Sequence, residues 1–205
     1  MDKRELVRRH YADVLLGLCK DHRLRDLTVA DVVEAAGTAR QTFYNYFSDL
    51  NDLICFTAFL PMTDASDPFT DPNSTRRTHE VTMERRAFYC QLPQHMGQNN
   101  FWEALGDWLR KTYYERYLAE GLSPEERDYR KVCIDLYCLG DVAVFREWCA
   151  NGMDVSIDAI TAMLYDMSPA FVKEELALLP GRAASYPRET MIKSRWSEPS
   201  PRKRP

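Results

Sequence analysis

The chain lacks any run of about 18 consecutive apolar residues, the length a helix needs to cross a bilayer. No membrane partner is therefore expected. Met1 to Glu5 is charged and no apolar stretch follows, so no secretory leader is expected and a cytoplasmic location is the reading. Glycine is scarce, with 8 in 205 residues, and neither a Gly-rich phosphate loop nor a G-x-S-x-G elbow occurs. Histidine is scarcer still. His10, His22, His79 and His95 are scattered and read as belonging to no metal-ligand cluster, and no Glu-x-x-His pair exists. These absences leave no metal, no cofactor and no catalytic motif to expect, and an enzyme is disfavoured. No C-x-x-C pair occurs among Cys19, Cys55, Cys90, Cys133, Cys138 and Cys149. Reduced thiols are expected, as buried small hydrophobes or, on the sharper reading, as a redox sensor.

What is present is a hydrophobic fraction of 45% and an aromatic fraction of 12%, enough for a packed core. Apolar residues recur at helical spacing and alternating strand runs are absent, so the fold class is all-α. Charge is unevenly spread. Residues 1–60 are near neutral, residues 61–179 carry a net charge of -8, and residues 180–205 carry +5. Long-range attraction to a polyanion is therefore weak, and any DNA affinity must come from a few well-placed groups and from dimerisation.

Helices are predicted over 3–22, 29–35, 39–46, 49–61, 76–92, from Asn99 or Asn100 to 119, and over 124–150, 156–167 and 168–178. Thr28 reads as an N-cap with Asp31 as its capping-box partner, and Gly37 as a left-handed C-cap. Thr38 reads as a second N-cap. Pro61 to Thr75 reads as a loop, and Ser123, Pro124 and Glu126 as a strong helix start. Two short helices joined by a tight Gly-containing turn are the grammar of a helix-turn-helix. This gives a helix-turn-helix head over 1–48, a helical effector and dimerisation body over 49–179, and a basic tail over 180–205, expected to be disordered. The tail either touches DNA phosphates nonspecifically or is simply solvated.

The stretch from Thr28 through the Ala36-Gly37 turn to Thr42-Phe43-Tyr44-Asn45-Tyr46-Phe47, followed by Leu53, resembles the DNA-binding domain of the TetR family of transcription regulators. The resemblance covers roughly residues 5–55 and implies a dimeric, double-stranded DNA-binding regulator. The residue types make sense independently. Phe43 and Phe47, four apart, can pin the second helix to its neighbours. Arg40, Gln41, Tyr44 and Asn45 then fall largely on other faces, ready for a major groove. Arg40 suits guanine, Gln41 suits adenine, and the Tyr44 hydroxyl can reach a phosphate. Thr28 and Thr38 stand at helix starts that favour phosphate, and Ala39 and Tyr46 complete the candidate DNA-binding set. One departure stands out. Where the family usually carries a lysine, this chain has Leu50, flanked by Asp49 and Asp52, which should weaken DNA affinity.

The run from Leu136 to Gly140 and on through Phe145 to Gly152 resembles the branch that contains activators of dihydroxyacetone kinase operons. In that branch the effector can be a protein partner rather than a free small molecule. This helix is apolar on nearly all sides and reads as central, with Gly140 admitting a close neighbour. Asp141 falls on its Tyr137–Phe145 stripe, as half of a buried ion pair or as a polar anchor in a ligand cavity. Trp102, Tyr137, Asp141 and Phe145 are the candidate effector pocket, against the plainer reading of such aromatics as core. Ile157, Ile160, Met163, Leu164 and Met167 form a stripe that is either the homodimer interface or an ordinary core face. The family's commonest mode is repression released by a small molecule. Activation, or a protein adapter, is the alternative.

Overall fold

A computed structural model describes residues 2–95, 100–118 and 120–179. The predicted basic tail lies outside the described residues, as does Asn99. Among the described residues there are helices and no strand: α1 (Lys3–Leu18), α2 (Val29–Ala35), α3 (Arg40–Tyr44), α4 (Leu50–Asp64), α5 (Ser74–Glu84), α6 (Arg86–Tyr89), α7 (Phe101–Tyr117), α8 (Pro124–Ala150), α9 (Ile157–Met167) and α10 (Ala170–Ala177). None is long and apolar enough to cross a membrane.

The sequence's start and stop signals act locally. Thr28 caps α2 in a full capping box, its hydroxyl facing the Asp31 amide while the Asp31 carboxylate accepts from the Thr28 N–H at 2.7 Å. Caps of this kind contribute about 1 kcal/mol each. Gly37 follows with φ +63, a left-handed turn that costs glycine nothing. Asn100 caps α7 by accepting from the Trp102 and Glu103 amides, and Ser123 with Pro124 opens α8.

Four expectations are corrected. α1 ends at Leu18, residues 19–22 of its predicted span form a turn and a bend, and a 3-10 turn follows over Leu24–Asp26. Pro61 does not end α4 but sits within it, in the last turn before Asp64. The predicted helix over 76–92 is broken at Arg85 into α5 and α6, and a further 3-10 turn spans Leu92–Gln94. Thr38 is not the cap of α3. Ala39 holds that position, and the Thr38 hydroxyl instead pairs with Tyr11 OH at 2.8 Å.

The main core is continuous from head to body. Tyr11 and Leu15 of α1, Phe43, Phe47, Leu53 and Ile54 of α4, Tyr89, Trp102 and Trp148 of α8 all belong to it. α4 makes this possible, packing on α1 as well as on α5 and α7. A second core joins α7, α8 and α10 through Phe69, Tyr113, Tyr117, Ile134, Cys138, Val172 and Leu176. The cysteines are free thiols, and burial pushes Cys19, Cys55, Cys90, Cys138 and Cys149 up and away from the reactive thiolate.

Candidate functional site

The head is built so that α3 turns one face inward and the rest outward. Phe43 and Phe47 are buried, and Tyr11 meets both rings edge-on, at 5.4 and 6.0 Å. Such pairs each add about 0.5–1.5 kcal/mol beyond simple burial. With that face fixed, Arg40, Gln41, Tyr44 and Asn45 are exposed, as are Ala39 and Thr28. Tyr44 stacks its ring edge-to-face on Phe43 at 5.5 Å, which holds an exposed phenol in a fixed direction. Tyr46 and Thr38 are half-buried, and Arg4 of α1 lies over the Tyr46 ring at 5.5 Å. Leu50 is half-buried against the main core at the start of α4.

Two polar ties join this head to the body. The Gln91 side chain accepts from the Leu24 N–H at 2.7 Å and donates to Cys19 O at 3.2 Å, so one amide satisfies both a donor and an acceptor of the α1–α2 connection. Arg9 of α1 donates to the Asp64 carboxylate at the end of α4 at 2.7 Å, and this bond holds the Asp64 carboxyl below the usual carboxylate range.

The body contains a cavity of about 110 Å³ between α4, α5, α7, α8 and α9. Tyr137, Asp141 and Phe145 line it, joined by residues that sequence reasoning passed over: Thr78 and His79 of α5, and Trp108 and Tyr113 of α7. Their common signal was a half-apolar helical stripe, which does not tell a wall from a core. Trp102 does not line this cavity. Its ring is buried in the main core and its indole N–H donates to Leu92 O at 3.1 Å. Asp141 has no hydrogen-bond or ion-pair partner among the described residues, and burial pushes its carboxyl up to about 7. His79, on the same cavity's wall, is buried and paired through Nδ1 with Thr161 Oγ1 at 2.9 Å, and burial pushes its imidazole down to about 4. No group of side chains able to hold a metal ion occurs among the described residues.

The predicted interface stripe on α9 points mostly inward. Ile160 and Leu164 are 1% and 5% exposed, Ile157 and Met163 are half-buried, and Met167 alone is well exposed. Ile160 and Leu164 complete the main core, so the plainer reading of that stripe applies to them. α8 is not enclosed on all sides as its composition suggested. Tyr129, Val132, Leu136 and Leu139 recur at three- and four-residue spacing on its open side, with Leu136 67% exposed. Gly140, expected to admit a close neighbour, has nothing within 4 Å of where its Cβ would be. With Met167 these residues form an apolar surface along α8 and the end of α9.

Comparison with sequence profiles of known protein families gives no match, and comparison with curated protein sequences gives none. Among solved structures, a dihydroxyacetone kinase operon activator, DhaS, is similar in fold, with a TM-score of 0.57 and 17% sequence identity, over 84% of this chain and 97% of that one. The shared property is the all-helical fold.

Proposed function

We propose that the chain is a DNA-binding transcription regulator of the TetR type, cytoplasmic and homodimeric, that reads a double-stranded operator with α3. The observation that carries this is the division of α3. Phe43 of α3 and Phe47 just after it are locked into an aromatic core, while Arg40, Gln41, Tyr44 and the C-cap Asn45 stand exposed. A structural helix of this size has no use for so many outward amphipathic groups, whereas a recognition helix needs them near its N-terminal half. Arg40 and Gln41 address base edges, and Tyr44 addresses a phosphate. Thr28, Ala39 and Tyr46 flank them. The Thr38 hydroxyl is engaged with Tyr11 and sets the turn instead.

The dimer interface falls on the exposed apolar stripe of α8 with Met167, rather than on Ile160 and Leu164. Large apolar side chains gathered in one exposed stripe, rather than scattered singly, mark an interaction surface. Two such stripes meeting about a two-fold axis bury it isologously. The cavity around Asp141 is the effector site, and α4 lies in its wall through Met62 while packing on α1. An occupant that displaces α4 would therefore shift the head. Both signs of regulation fit this arrangement. Repression relieved by the effector is the first reading. Activation is the alternative, favoured by the fold neighbour's printed role as an operon activator.

Selection of binding sites from a random duplex pool tests the proposal. A palindromic motif with half-sites about one DNA turn, ~10 base pairs, apart is the expected result. A pool that never enriches overturns DNA reading, and a single unrepeated half-site overturns the dimer.

A further inference from the structure

The cavity has one polar feature that its structural role does not explain. A cavity of about 110 Å³ has room for several waters, each needing roughly 10–15 Å³, or for a compact organic molecule. Its walls offer the aromatic rings of Trp108, Tyr113, Tyr137 and Phe145. Tyr113 and Tyr137 sit with ring centroids 5.4 Å apart. Among the lining residues there is no lysine and no arginine, and His79 is kept neutral by burial. Asp141 is thus the single carboxylate of an aromatic chamber with no cation inside it. Asp141 is half-buried, a carboxylate with reduced access to water is costly to leave unpaired, and among the described residues none pairs with it.

We propose that this cavity binds a compact organic cation, of the substituted-ammonium class, with its charge at Asp141 and its alkyl groups against the aromatic walls. An anion would meet an uncompensated carboxylate and no donor of opposite charge. A neutral hydrocarbon would leave Asp141 desolvated and unpaired. An ammonium carrying methyl groups satisfies both halves of the site, since ring faces attract cations through their quadrupole and the methyl groups bury apolar surface. Asp141 also borders the open groove formed with Leu136, Gly140 and Met167. In the proposed α8 dimer that side would be covered, leaving the inner cavity as the carboxylate's remaining face. The ligand class rests on the reading of this cavity as the effector site only for its regulatory meaning, because binding can be measured without DNA.

The experiment uses choline as probe and 3,3-dimethylbutan-1-ol, its uncharged carbon isostere, as control. Both are titrated into the full-length protein at a pH of about 8, followed by calorimetry and by tryptophan fluorescence. The expected result is that choline binds at least about 10-fold more tightly than the alcohol. Asp141→Asn is expected to erase that advantage while leaving the alcohol's affinity unchanged. Trp108→Leu is expected to weaken choline without abolishing the preference for charge. Equal binding of the two probes to the unaltered protein overturns the proposal, as does failure of choline to bind, and neither result depends on a variant folding. The same titration is repeated with labelled operator present. Choline that binds through Asp141 without altering DNA affinity leaves the ligand class standing and removes the effector role. Release of DNA by the alcohol alone keeps the effector role and removes the ligand class.

Discussion

The Asp141 carboxyl, raised to about 7 by burial, makes folding take up a proton between the unfolded value of roughly 4 and pH 7. Stability contributed by the neutral acid is present below that window and lost as pH rises through it. His79, lowered to about 4, acts in the opposite sense, losing stability as pH falls below about 6.5. Comparing Asp141→Asn with the unaltered protein cancels the histidine. The variant is expected to be more stable by ~1–2 kcal/mol at pH 8 and nearly equal at pH 5, measured by urea unfolding, cavity water moderating the gain. Equal stability at both pH values would show that the carboxylate is well solvated. At Leu50, half-buried against the core, a lysine exchanges apolar packing for a cation. Leu50→Lys should cost ~1 kcal/mol of stability yet tighten DNA binding and steepen its salt dependence by about one phosphate. Unchanged binding would show that this position faces away from the backbone of the duplex. Single-residue roles were partly legible. Thr28, Gly37, Asn100 and Ser123 announce themselves because caps and left-handed turns are local chemistry. Thr38 did not, because its partner Tyr11 is 27 residues away in sequence.

Elements were legible where the chain punctuates itself and obscure where a third dimension decides. Pro61 looks like a stop, but a proline in a helix's last turn forfeits little. The break at Arg85 carries no glycine or proline to mark it. The more consequential ambiguity lies between α8 and α9. Both carry apolar residues at helical spacing, and periodicity shows that a face is apolar without showing what covers it. In the folded chain the main core covers Ile160 and Leu164, whereas Leu136 and Leu139 remain open. The two helices should therefore respond differently to the same insult. Leu136→Arg with Leu139→Arg is expected to yield a folded monomer by light scattering and circular dichroism. Ile160→Arg is expected to cost more than ~3 kcal/mol and to lose the fold before it changes assembly. A folded dimer in the first variant would move the interface off α8.

At the scale of the whole molecule, head and body share one core through α4, braced by Gln91 and by Arg9 on Asp64. A head built into the body in this way should melt with it. A single calorimetric transition, with equal calorimetric and van't Hoff enthalpies per cooperative unit, is expected, and a separate early transition of the head would show a flexible joint. The all-helical class was legible because helical periodicity runs through most of the described chain. The shared core was not, because it depends on which faces of α1 and α4 meet.

The net charge of -4 leaves little long-range attraction to DNA, so the proposed binding would have to depend on the α3 face. The most direct measurement is fluorescence anisotropy of the full-length protein on its selected operator and on a scrambled duplex, at several salt concentrations, alongside Arg40→Ala and Tyr44→Ala. Tight, sequence-selective binding is predicted. Arg40→Ala should lose ~1–3 kcal/mol of it and relax selectivity at one base pair, and Tyr44→Ala should weaken binding without changing which sequence is preferred. Equal affinity for both duplexes, or full binding by both variants, would contradict the assignment of α3 as the recognition helix.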